Sequence, residues 1–181
     1  MNLRNTVTRW GSVAKLLHWL VVFLIVGQFV LANIAEDLPL GMEKLGVLAR
    51  HKSNGITVLA LAVLRLLWRF ANPTPALPAT VTLWQRRLAQ STHVLLYALL
   101  FAMPLSGWAM SSAKNYSVSW YGALQLPDFV TPSESLFNLL KQTHDTLATG
   151  LLLLAGLHVA GALKHQFIDR DGVLRRMLPF F

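Results

Sequence analysis

A chain of 181 residues that is 54% hydrophobic, with a positive mean hydropathy, has the size of one domain and is too apolar for an ordinary soluble one. It contains no cysteine, which excludes disulfides, thiolate zinc sites, cysteine-held iron–sulfur clusters and covalently attached c-type haem, so any metal must be held by histidine or carboxylate. A net charge of +8 does not indicate nucleic acid here, because the basic residues bracket apolar segments instead of lining one polar face.

Arg4, Arg9 and Lys15 precede an apolar run from Leu16 to Ala35. That run is about twenty residues long and no A-x-A site precedes Glu36, so it is predicted to be a retained first span and not a cleaved signal. A polar connection from Asn33 to about Leu45 leads to a second span at about 47–70, entered near His51 and left near Arg65 to Phe70. The prolines of Asn72-Pro-Thr-Pro-Ala-Leu-Pro stop that helix. After the polar, basic stretch Trp84 to Gln90, a third span is predicted at about 91–111, kinked at Pro104. Ser112 to Lys141 is the longest connection. Its Pro-Ser-Glu-Ser segment from Pro132 has helix N-cap chemistry, and Leu136, Phe137, Leu139 and Leu140 predict a short interfacial helix at about 133–142 running into a fourth span at about 143–166. The tail from Ile168 to Phe181 is basic and amphipathic, and there is no internal repeat. The predicted fold is all-α: one transmembrane domain over 1–181, an integral membrane four-helix bundle in the lipid bilayer.

Basic residues near the span ends set the orientation. Eleven fall on one side (Arg4, Arg9, Lys15, Arg65, Arg69, Arg86, Arg87, Lys164, Arg170, Arg175, Arg176) and five on the other (Lys44, Arg50, Lys52, Lys114, Lys141), which predicts both termini to be cytoplasmic.

The fourth span carries His144, His158 and His165, at intervals of fourteen and seven residues that put all three on one helical stripe. His144 and His158 are about 21 Å apart along the axis, most of a hydrocarbon core of about 30 Å. Ala148, Ala155 and Ala162 run beside the stripe, a pattern that serves helix packing as readily as a cofactor groove. Sorted by depth, His51 and His144 lie toward the outer face and His18, His93, His158 and His165 toward the cytoplasmic one. Ionisable residues inside spans need a partner or cofactor. Two levels of histidine on different helices of a bundle suit two bis-imidazole b-type haems, the outer between His51 and His144, the inner between His18 and His158.

His93 and His165 are nearer the boundary, which suits proton handling at a quinone site or a plain interfacial position. Gly55 follows His51 by one turn and removes a side chain where a macrocycle edge would press, and Gly107 returns to the face of His93 at the outer level. Arg65, fourteen residues after His51, reaches the inner level, with Arg69 one turn on. The two are candidates for a haem propionate or a quinone oxygen, and equally for positive-inside anchors.

His18-Trp19, Arg65 fourteen after His51, Asn-Pro-Thr-Pro-Ala, His93 with Tyr97 and Pro104, then His144, His158 and the Leu-Arg-Arg-Met-Leu-Pro tail together resemble the bacterial cytochrome b561 family over essentially the whole chain. The resemblance implies a four-helix inner-membrane cytochrome with two haem b groups, His18, His51, His144 and His158 matching the axial ligands. The same four-histidine plan also resembles the cytochrome b subunits of membrane-bound formate dehydrogenases and hydrogenases, which take electrons from a partner dehydrogenase. Some b561 members are similar to superoxide oxidases, which pass electrons from periplasmic superoxide to ubiquinone. Arg50 and Lys52 beside His51 and Lys141 one turn before His144 could attract that anion. The outer segments also carry Glu36, Asp37, Glu43, Asp128, Glu134 and Asp145, six acids against five bases, so any steering field is local. A haem-free transporter using the histidines as a proton relay is the reading from a different class.

Overall fold

The computed structural model describes residues 2–78 and 80–178. Four long helices carry almost all of the order: α1 (Ser12–Asp37), α2 (Met42–Phe70), α3 (Leu83–Ala113) and α4 (Glu134–Lys164). Each is long and apolar enough to cross a membrane. The surface is apolar, with Phe23 75% exposed and Leu153 69% exposed, whereas the buried residues are mostly small, among them Ala14, Val21, Ser53, Ala62, Ala109 and Ser112. A water-soluble bundle would bury the large side chains. Small residues facing inward and Leu, Phe and Val facing outward are what lipid requires, because helices in a bilayer associate by close backbone approach. The chain folds as a membrane four-helix bundle.

Two helix starts are set by local chemistry. Gln85 reaches back over the start of α3, as in one half of a capping box, its Oε1 accepting from both the N–H and the hydroxyl of Thr82 at 2.9 Å. Trp84–Gln90, read from the sequence as a polar connection, is therefore the first part of α3. Ser133 caps α4 by accepting from the Leu136 N–H at 3.3 Å. The interfacial helix predicted at about 133–142 and the fourth span are one continuous helix. Pro104 lies inside α3.

The chain divides into two compact units, and all four helices contribute to each. In the first (Met1–Leu20, Val63–Ala98, Gly150–Phe181) the N-terminal arm, the α2–α3 connection and the C-terminal tail are tied together. The buried Asn5 side chain donates to Pro73 O (3.1 Å) and accepts from the Gly11 N–H (3.0 Å). A Cβ at Gly11 would clash with the Leu3 and Arg4 backbone, so this close approach needs glycine. Arg176 donates to Ala76 O (2.8 Å), Lys15 to Leu178 O (2.9 Å) and the Trp19 indole to Met177 O (3.0 Å). Beyond α4 the chain makes one wide turn over His165–Asp169 and a short tight turn over Leu174–Arg176. Pro179, Phe180 and Phe181, at the end of the predicted amphipathic tail, lie outside the described residues.

In the second unit (Val21–Ala62, Leu99–Thr149) the long α3–α4 connection contains an antiparallel pair not foreseen in the sequence, β1 (Ser119–Trp120) with β2 (Leu124–Gln125). The turn uses two left-handed residues, Tyr121 (φ 49°) and Gly122 (φ 75°). It is strapped to α2 just past His51. Buried Ser53 accepts from the Tyr121 N–H (3.0 Å), the Trp120 indole donates to Thr57 (3.1 Å) and the Tyr121 hydroxyl to Asn54 (2.5 Å).

Candidate functional site

The second unit brings His51 of α2 and His144 of α4 together, with ring centres 6.4 Å apart and planes inclined at 73°. The two residues have different neighbours: Gln28 bonds the His51 backbone, whereas α3 meets the His144 ring itself. The His51 carbonyl accepts from the Gln28 side chain of α1 at 3.1 Å, and a Cβ on Gly55 would sit 3.2 Å from that same Gln28 nitrogen, so Gly55 makes room for the amide. His144 lies against α3 at Gly107, where a Cβ would meet its Cε1 at 3.1 Å, and its Nδ1 is 2.9 Å from Ser106 Oγ.

The first unit repeats the arrangement with different helices. His18 of α1 and His158 of α4 have ring centres 6.2 Å apart at 74°. His93 of α3 is also against His158, but closer, at 5.2 Å. One turn beyond His93 is Tyr97, and both α2 arginines reach it: the guanidinium carbons of Arg65 and Arg69 stand 5.5 and 5.7 Å from its ring centre. Arg65 and Arg69 thus share the Tyr97 ring, and His93, one turn before Tyr97, meets His158.

His165 is engaged elsewhere. Its Nδ1 is 2.6 Å from Asp171 and 3.4 Å from Asp169, and Lys164 also grips Asp169 at 2.6 Å. Of the three cations expected around His144 and His51, Arg50 is exposed, Lys52 donates to Tyr116 O at 3.1 Å, and Lys141 is paired with Asp145 at 2.8 Å. Lys141 is thereby locally neutralised, so little of a steering field rests on it.

The family model of prokaryotic cytochrome b561 matches residues 9–180. The chain belongs to the prokaryotic cytochrome b561 family. It is 33% identical to cytochrome b561 homolog 2 of Escherichia coli K12 over 98% of this chain and 95% of that protein. It is 28% identical to cytochrome b561 homolog 1 of the same organism, over 96% and 98%. With a Yersinia pestis protein named "Probable superoxide oxidase CybB" the identity is also 28%, over 90% of this chain and 92% of that one. Membership makes this a multi-pass bacterial membrane protein of electron transport, an oxidoreductase with haem b. It leaves the haem-free transporter reading without support.

The side chains fit a b561 haem. Two iron–imidazole bonds of about 2 Å each, plus the half-width of each ring, give ring centres about 6 Å apart. His51–His144 and His18–His158 meet that separation, and rotation of either ring about its iron–nitrogen bond leaves ligation unchanged, so inclined planes are no obstacle. His93–His158 is too close for it. His18 Nδ1 and His51 Nδ1 are buried without a hydrogen-bond partner, which is costly for a ring with nothing to bind.

Two contributors were missed in the sequence, and a third was named without a role. Gln28 stands inside an apolar span, and intramembrane polarity alone could have flagged it. Ser106 adjoins Gly107 and follows Pro104, a small-residue break that marks close approach. Tyr97 was noticed only as part of the family pattern, because an aromatic in a span has many uses.

Proposed function

We propose that this chain is a di-haem cytochrome of the bacterial inner membrane, a single domain with both termini cytoplasmic. His51 and His144 would ligate an outer haem and His18 and His158 an inner one. The observation that carries the reading is the repetition of one geometry, 6.4 and 6.2 Å between ring centres, on two pairs of helices. Haem b at these positions would supply one-electron transfer between a periplasmic donor, superoxide first among the candidates, and ubiquinone. The overall change balances as two superoxide anions oxidised to dioxygen and one quinone taking two electrons and two protons to quinol.

The protein's own residues orient the ligands and handle charge. Gly107 keeps a side chain away from His144 and Gly55 makes room for the Gln28 amide that bonds the His51 carbonyl, while Arg50 and Lys52 would leave positive charge near the outer pair. Arg65 and Arg69, both against the Tyr97 ring, would meet an anionic propionate or a quinone oxygen, with His93, one turn before Tyr97, as a proton carrier. His165, already paired with Asp171, would serve as a second proton carrier toward the quinone.

The relative named a probable superoxide oxidase supports the choice of donor. The Lys141–Asp145 pairing favours a second reading, a cytochrome subunit fed by a partner dehydrogenase and needing no anion steering. One assay separates the two. Purified, haem-loaded protein is expected to accelerate superoxide loss when a water-soluble ubiquinone is present, with quinol formed in step. No acceleration, with haem reduction only on adding a dehydrogenase, overturns the superoxide reading.

A further inference from the structure

Residues Met103 to Gly107 of α3 form a seat for the His144 ring. Ser106 Oγ lies 2.8 Å from the Met103 carbonyl oxygen and 2.9 Å from His144 Nδ1. Two oxygens at the first distance repel unless the hydroxyl proton lies between them, and a carbonyl has no proton to give. The Ser106 hydroxyl therefore donates to Met103 O. Its only proton is then committed, so toward the imidazole it can act only as an acceptor. His144 Nδ1 must be the nitrogen that carries hydrogen, and Nε2 is left with its lone pair.

Gly107 completes the seat, since a Cβ there would press on Cε1 at 3.1 Å from rigid helix backbone. Across the pair, His51 Nδ1 is buried and has no such partner. The two rings are thus inequivalent: one is held in a fixed tautomer by Ser106, with the Met103 carbonyl also in hydrogen-bonding reach, and the other is not.

We propose that Ser106 is a positioning residue that fixes the Nδ1–H tautomer of His144, presents Nε2 to the outer iron, and makes His144 the more electron-donating ligand of its pair. This rests on the reading of His144 as a haem ligand. A hydrogen-bond acceptor behind a ligating imidazole raises its basicity and favours the more highly charged, oxidised metal. Removing the acceptor weakens that preference, so the potential of this haem should rise.

The test is a potentiometric titration of both haems, with low-temperature electron paramagnetic resonance, on the membrane protein carrying Ser106→Ala or Ser106→Thr. In S106A the potential of the haem that is lost in H144A is expected to shift upward and its low-spin ferric signal to move. The other haem should be unchanged, and S106T, which keeps the hydroxyl, should return both readouts to the parent values. Should S106A lose that haem, its retention at the parent potential in S106T supports the same conclusion. A parent-like S106A, or an S106T shifted as far as S106A, overturns the inference. A parent protein in which H144A removes no haem is a different result, and defeats the ligand assignment itself.

Discussion

Replacing His144 by alanine is expected to lower bound haem from about two per chain to about one, and His51→Ala should do the same. The two rings face only each other: among the described residues, the sole ring contact of either is its partner at 6.4 Å. The polar side chains beside them are poor substitutes for an imidazole: the Gln28 amide already donates to the His51 carbonyl and the Ser106 hydroxyl to Met103 O. Loss of one axial ligand of a bis-histidine haem leaves the iron five-coordinate or the haem released, and either outcome removes one low-spin b-type signal. The other haem should survive, because His18 and His158 belong to the other compact unit. Its spectrum then reports that the variant has folded. Haem stoichiometry against protein concentration, with absorption spectra of both variants, makes the check. Two low-spin haems in H144A would remove the outer assignment.

The second large effect separates two histidines that the sequence could not rank by distance. His18 and His93 both stand against His158, at 6.2 and 5.2 Å. An iron between two imidazoles needs about 6 Å between ring centres, which favours His18 over the closer His93 as the proposed partner of His158. His18→Ala is expected to halve the haem content. His93→Ala is expected to keep both haems and to slow quinone reduction, in the range of about 10²–10⁴-fold if it carries a proton in the transfer. Haem stoichiometry and quinol formation, measured side by side on the two variants, give the answer. Haem loss in H93A with retention in H18A would reverse the pairing.

Much of the architecture was legible because a bilayer restricts a chain so strongly. Four apolar runs of sufficient length, bounded by basic residues and prolines, leave few folds other than a helix bundle. The fourteen-residue interval from His144 to His158 was equally plain, since it repeats whole turns of one helix face. Distances between different helices are not written in any one segment, and this is why His18 and His93 could be sorted by depth but not by separation. Side-chain relays are harder still. Ser106 is one of many small polar residues near a span end, and only its place between Met103 O and His144 gives it a role. The hairpin Ser119–Gln125 escaped notice because each strand has two residues, too few to show alternation, and because its Tyr121-Gly122 turn puts a tyrosine where glycine or asparagine is usual. Gly55 illustrates a role reassigned at close range: expected to clear space for a macrocycle, it has Gln28 as the neighbour its Cβ would meet.

The three cations expected to attract superoxide differ in what surrounds them. Lys141 and Asp145 are four residues apart on one helix and pair at 2.8 Å, while Lys52 spends its ammonium on the Tyr116 carbonyl. Arg50 remains the most available of the three.

Two bis-histidine haem b groups per chain are the centre of this reading, and a reduced-minus-oxidised absorption spectrum with quantified haem content addresses them directly. Protein purified from haem-replete cells is expected to show a low-spin b-type difference spectrum and about two haems per chain. No low-spin b-type signal, or a content of one haem in fully loaded protein, would contradict it.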